Sequence, residues 1–183
     1  MTVTTQHLTL DEFLARDFPP RTQLVNGEVV MNAPLKRHDR IGFFLARRIA
    51  DWVDDAGTGE AGVAGAWTAA GHNYFIPDAW WTHPDHRASG EESLTLRYPD
   101  LVIEVRSPST WRYDVGPKRD AYERAGVTEL WLVDVSSDTV IVNRRAKPSS
   151  PAFDVLLELG RGESLTSPLL PGFTIGLDEV FDR

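Results

Sequence analysis

Residues 101–105, Leu-Val-Ile-Glu-Val, form a near-continuous apolar run within the segment LVIEVRS. A strand this apolar leaves no side for water, so it must be covered on both faces, as the central strands of layered α/β sheets are. Glu104 interrupts the run. A carboxylate in that setting is costly unless it is paired or binds a metal. A salt bridge with Arg106, two residues on and on the same strand face, is the plain structural reading. ELWLVDV (129–135) is a second buried strand, and TVIVNRR (139–145) pairs with it across a Ser-Ser-Asp turn.

The remaining elements follow from local signals. Thr9 with Glu12 makes a capping box for a short helix over 10–16. Asn26-Gly27 between apolar stretches predicts a hairpin with strands at 22–25 and 28–31. Ile41, Phe44, Leu45, Ile49, Trp52 and Val53 recur at helical spacing over 39–54, with Asp39 as N-cap. DDAGTGEAG (54–62) breaks that helix. VAGAWTAA (63–70) and NYFIPDAWW (73–81) read as strands, and 83–97 as a polar, loop-like rim. Pro117 suits the first position of a helix over 117–125 that Gly126 ends. A strand near 153–159 and a helix near 177–182 complete the chain. The order hairpin, helix, strands, helix, strands predicts an α/β or α+β fold with a central mixed sheet flanked by helices. At 183 residues one domain over 1–183 is expected.

Three residues look like chemistry. Asp78 follows Pro77 inside a strand-like run, a pairing that on its own is common at strand ends. It lies far enough before Glu104 for the two to sit on neighbouring strands, and two such carboxylates can converge on one divalent cation, Mg²⁺ preferring hard oxygen ligands. Lys118 precedes Ala121, Tyr122 and Ala125 by three, four and seven positions, which places it on the inner face of its helix. It either snorkels to water or aims its ammonium at Glu104. Asp100 also follows a proline, but it is roughly 13 Å along the same strand from Glu104 at ~3.3 Å per residue. It is expected to cap the strand start.

With those residues in view, the sequence resembles the PD-(D/E)xK nuclease superfamily and, more closely, a bacterial restriction-endonuclease family called Uma-two (Uma2). NGEVVMNAP (26–34), His38 with Ile41 and Leu45, IPD (76–78), YPDLVIEVRSPST (98–110), Asp114, Lys118, Tyr122, AGVTELWLVDV (125–135) and SPLLPGFTIGLDEVF (167–181) carry the resemblance. It implies a restriction-endonuclease-like core. It makes Asp78 and Glu104 metal carboxylates, the Val105 carbonyl a further ligand, and Lys118 the catalytic lysine, moved to the helix after the strand. Many superfamily members place a lysine two residues after the glutamate, where this chain has Arg106, a poor proton acceptor. Glu28 and His38 also match the pattern: Glu28 as a further acidic group or a solvent-facing hairpin residue, His38 as a group near substrate or a structural histidine. The implied cofactor is Mg²⁺ (or Mn²⁺) and the implied partner DNA.

Charge and composition set two functional readings side by side. The chain carries 19 Lys and Arg against 27 Asp and Glu, a formal charge of −8, so its surface as a whole is not built for nucleic acid. Basic groups nevertheless gather locally, at Lys36, Arg37, Arg40, Arg47 and Arg48 and between Arg106 and Arg124. One reading is a Mg²⁺-dependent DNA endonuclease. The alternative is a non-catalytic interaction or structural protein of nuclease fold. Trp80, Trp81 and Trp111 suggest an apolar patch and a homodimer. Cysteine is absent, the N-terminus lacks a basic region followed by an apolar one, and no apolar run is long enough for a membrane span. A cytoplasmic protein without membrane association is the expectation.

Overall fold

The computed structural model describes residues 7–32, 35–68, 73–87 and 98–183. The end of the strand expected over 63–70 and most of the expected rim, from 88 to 97, lie outside the described residues. Helix α1 (Leu10–Leu14) carries both halves of the Thr9–Glu12 capping box. Strands β1 (Thr22–Val25) and β2 (Glu28–Met31) pair antiparallel across Asn26-Gly27. Both turn residues have positive φ, 50° and 84°, the requirement that makes Asn-Gly a hairpin signal.

Helix α2 (Lys36–Ala56) starts three residues before the predicted N-cap. Leu35 occupies the cap position and gives no side-chain hydrogen bond. Asp39 is instead in the first turn, where its charge complements the helix dipole. Strand β3 (Glu60–Val63) lies in the Gly-rich stretch read as a break, and it pairs with β4 (Ala79–Thr82). Tryptophan packing explains the glycines there. A Cβ at Gly62 would fall 2.6 Å from the Trp80 ring, and one at Gly59 would collide with Trp81 Nε1. Strand β5 (Leu101–Val105) is buried along its whole length.

The chain then runs helically through α3 (Trp111–Tyr113), a π-turn (Asp114–Lys118) and α4 (Arg119–Arg124). Pro117 therefore sits inside the helical run, where the prediction had it at the start. It has no N–H to give and its ring crowds the preceding turn. The chain widens rather than breaking, and Arg119 N–H bonds back to Asp114 O. Gly126, at φ 85°, ends the run as expected.

Strands β6 (Glu129–Asp134), β7 (Thr139–Arg144) and β8 (Val155–Leu159) complete a six-stranded mixed sheet in the order β3-β4-β5-β6-β7-β8. Only β5 and β6 run parallel; the α3–α4 segment is their crossover. Strands β9 (Ser164–Thr166) and β10 (Thr174–Gly176) form a small separate pair that the sequence reading missed, and α5 (Leu177–Phe181) closes the chain.

The pleat of β5 divides the core. Leu101, Ile103 and Val105 pack with Ile41, Leu45 and Ile49 of α2 and with α5. Val102 faces the other way, with Ala121 and Tyr122 of α4 and with Val25 and Val30 of the hairpin. Glu104 shares that second face, two residues on from Val102. Among the described residues no helix is long and apolar enough to cross a membrane.

Candidate active site

The site lies at the C-terminal end of β5, where the antiparallel β4 and the parallel β6 flank it. Ala79 pairs with Ile103, so Asp78 stands one residue beyond the last pair, at the end of β5. Its backbone N–H bonds to Ile103 O at 3.1 Å. Its Oδ2 accepts the Val105 N–H at 2.8 Å. His38, buried in the first turns of α2, brings Nε2 to 3.2 Å from Asp78 Oδ2, an ion-pair distance but poorly aligned for a hydrogen bond. Burial pulls the His38 pKa down, but the neighbouring Asp78 and Asp39 carboxylates more than offset this and leave it raised.

Behind Asp78 is a buried cluster. Lys118 Nζ lies 2.6 Å from Glu104 Oε1 and 3.0 Å from Asp114 Oδ1. The Tyr122 hydroxyl donates to Glu104 Oε1 at 2.6 Å. Lys118 and Glu104 are only 2% and 3% exposed. Phe75 lies under the ammonium, 5.6 Å from ring centre to Nζ. Two carboxylates share one ammonium, so the fully ionised cluster carries one negative charge in excess. Burial therefore pushes Glu104 up to about 8; Lys118 opposes the shift, while Asp114 and Asp78 add to it. Asp114 is raised for the same first reason, burial. Burial alone would lower Lys118, but its two carboxylates raise it above the ordinary lysine value. The two carboxylates thus favour the charged form. Burial raises Tyr122 as well, so it stays a neutral donor.

Lys118 thus points inward, as its spacing predicted, and pairs with Glu104; Asp78 is bound to the Val105 N–H beside the end of the same strand. The sequence reading has Asp114 among the residues of the resemblance and within reach of Arg106, but not as a partner of Lys118. Its signal was its place four residues before Lys118, where helical neighbours meet.

Arg106 does not pair with Glu104 or Asp114. Its guanidinium donates to Asp134 at 2.7 Å and lies over the Trp111 ring. The two-residue face rule holds only within a strand, and β5 ends at Val105, leaving Arg106 free to turn toward β6. The pair is part-exposed, so Arg106→Ala is expected to lower stability by no more than about 1 kcal/mol in urea unfolding. Any cleavage activity should persist in that variant, because the side chain is outside the Glu104 cluster.

Glu28 accepts from the Tyr113 hydroxyl at 3.1 Å, which ties the hairpin to α3. Asp100 accepts from His83 N–H and meets His86 Nδ1 at the start of β5, away from the site. The tryptophans are not an exposed patch. Trp81 is in the core, Trp80 donates to Ala64 O, and Trp111 lies beneath Arg106. The argument they gave for a homodimer interface falls.

A cleft of about 260 Å³ opens in front of Asp78 and His38, with Arg21, Gln23, Phe43 and Ile76 among its walls. Glu104 and Lys118 lie behind it and not on its surface.

The comparison with curated proteins gives no match. Among solved structures, the crystal structure of "a putative nuclease belonging to DUF820" from Anabaena variabilis superposes with a TM-score of 0.81. The match covers 96% of this chain and 98% of that one at 20% identity, a likeness of fold. The central mixed sheet with helices on its faces is thus shared with that protein. The sequence model of the Uma2 family, described as "Putative restriction endonuclease", matches residues 10–178, nearly the whole chain, and the protein belongs to that family.

Proposed function

We propose that the protein is a divalent-metal-dependent endonuclease that hydrolyses phosphodiester bonds of DNA, built on the PD-(D/E)xK plan. The observation that carries this reading is the doubly paired Lys118 held against Glu104 at the end of the buried strand β5, with Asp78 bound to the neighbouring Val105 N–H. The family and the fold of the Anabaena protein support it.

The donor set suits a hard cation. Among the described residues no three His, Cys, Asp or Glu side chains form a ready-made metal cluster. The set here is two carboxylates and a backbone carbonyl, which suits Mg²⁺ because that ion retains several waters. The Glu104 bonds both fall on Oε1 and the Asp78 contacts both on Oδ2. Among the described residues Oε2 and Oδ1 take no hydrogen bond or ion pair, and with the Val105 carbonyl they would be the groups to hold an ion. A bound Mg²⁺ or Mn²⁺ would polarise the scissile phosphate and lower the pKa of a water.

The chain's own groups do the rest. Asp78 is fixed by the Val105 N–H, and Glu104 by the Tyr122 hydroxyl. Lys118, held in its charged form by two carboxylates, would orient water or offset charge developing on the phosphate. Asp114 holds that ammonium in place.

Thermal unfolding tests the metal assignment. Millimolar Mg²⁺ or Mn²⁺ binds only the folded protein and should raise its melting temperature. The rise should vanish in Asp78→Asn. Equal shifts in both proteins, or none in either, would contradict the assignment.

A further inference from the structure

We propose that the cleft in front of Asp78 is a nucleotide subsite, in which Arg21 holds a backbone phosphate and Phe43 stacks on an unpaired base of the DNA strand being cut. The inference rests on the nuclease reading of Asp78 and specifies its substrate as DNA with an unstacked nucleotide beside the scissile phosphate.

Four observations carry it. First, Asp78 is itself a wall of the cleft, so a nucleotide whose phosphate reaches that carboxylate has its sugar and base in the same space. At about 260 Å³ the cleft is slightly below the ~300–1,000 Å³ of typical ligand sites. That admits one nucleotide but not a stacked base pair.

Second, the rim is apolar and open. Phe43 is 64% exposed and Val63 51%, although Ile41, Leu45 and Ile49 on the same helix are fully buried. An exposed aromatic ring can stack on any base, because every base has a π-face.

Third, Arg21 is the only Lys or Arg among the described residues lining the cleft. Lys118 is committed to Glu104 and Asp114. The Arg21 side chain is half exposed, and Asp39 holds it at 3.0 Å. Asp39 in turn lies 3.3 Å from His38 Nδ1, whose other nitrogen meets Asp78. An incoming phosphate thus meets a guanidinium that lines the cleft and is already positioned by Asp39.

Fourth, Arg21 adopts φ 65°, a conformation unfavourable for a residue with a Cβ and often found where function holds the backbone. Glycine would fit that backbone more easily.

The test is oligonucleotide binding to the intact protein in EDTA, where metal-dependent cleavage is silent. The probes carry one 2-aminopurine, either unpaired in a bulge or paired in a full duplex. The bulged probe should bind about tenfold tighter than the duplex, with its fluorescence quenched by stacking. Phe43→Ala should weaken the bulged probe about tenfold, abolish the quench and leave the duplex unchanged. Arg21→Gly should weaken both probes and lower the salt dependence by about one phosphate contact. Its melting temperature should be unchanged or higher, since glycine relieves the backbone. Equal affinity for the two probes, or a quench that survives Phe43→Ala, would overturn the subsite. Plasmid nicking in Mg²⁺ separates the two claims. Nicking with no preference for the bulge removes the subsite and leaves the nuclease reading; no binding and no nicking removes both.

Discussion

Lys118→Met should destabilise the protein by about 3–5 kcal/mol, the usual result of deleting one partner of a buried ion pair. Methionine keeps the length and the apolar stem, so the change isolates the charge. Without the ammonium, Glu104 and Asp114 are two carboxylates facing each other in an apolar pocket, and each must hold a proton to stay there. The unfolded chain ionises both above the ordinary carboxylate range. The penalty should therefore grow with pH and be larger near pH 8 than near pH 5 in urea unfolding. Since whole domains are stable by only about 5–15 kcal/mol, this one substitution removes a large share. A variant with wild-type stability at both values would show that the cluster is not the ion-paired core described above.

Glu104→Gln should do the opposite. The Glu104 carboxyl is raised from an ordinary 4.5 to about 8 in the folded protein. Between those values the folded chain holds a proton that the unfolded chain releases. Stability from this group is thus greatest below the lower value and is lost as pH rises through the window. Glutamine keeps the shape, accepts from the Tyr122 hydroxyl and never ionises. Asp114 and Lys118 then form a balanced pair. The variant should match the wild type near pH 5 and exceed it in melting temperature by about pH 8–9. The same pH dependence in both proteins would contradict the charge excess assigned to the cluster. A functional carboxylate whose loss stabilises the fold is a familiar trade between activity and stability.

Local signals made much of this legible in advance. Asn26-Gly27 specified the hairpin because its turn needs positive φ at both residues. The apolar run at 101–105 identified the central strand, and the spacing from Lys118 to Tyr122 and Ala125 oriented the lysine. What stayed hidden depends on neighbours in space. The partner of Arg106 could not be read without knowing that β5 stops at Val105 and that Asp134 is beside it. Pro117 looked like a helix start because an interior proline ordinarily breaks a helix; only the packed structure makes a π-turn there and closes Asp114 onto Lys118. Strand β3 hid among glycines whose purpose, seating Trp80 and Trp81, belongs to tertiary packing. The three-residue strands β9 and β10 were too short for any period to mark them.

The central claim is that Asp78, Glu104 and Lys118 form a working hydrolytic site, and Glu104→Gln tests it most directly because it removes function without removing the fold. The measurement is nicking of supercoiled plasmid DNA in Mg²⁺ or Mn²⁺, with EDTA as a blank, for the wild type and the variant. The prediction is metal-dependent conversion to nicked and linear DNA by the wild type and none by a Glu104→Gln protein that is at least as stable. Equal cleavage by both would place any hydrolysis elsewhere. No cleavage by the wild type in either metal would contradict the nuclease reading and favour an interaction protein that keeps the fold alone.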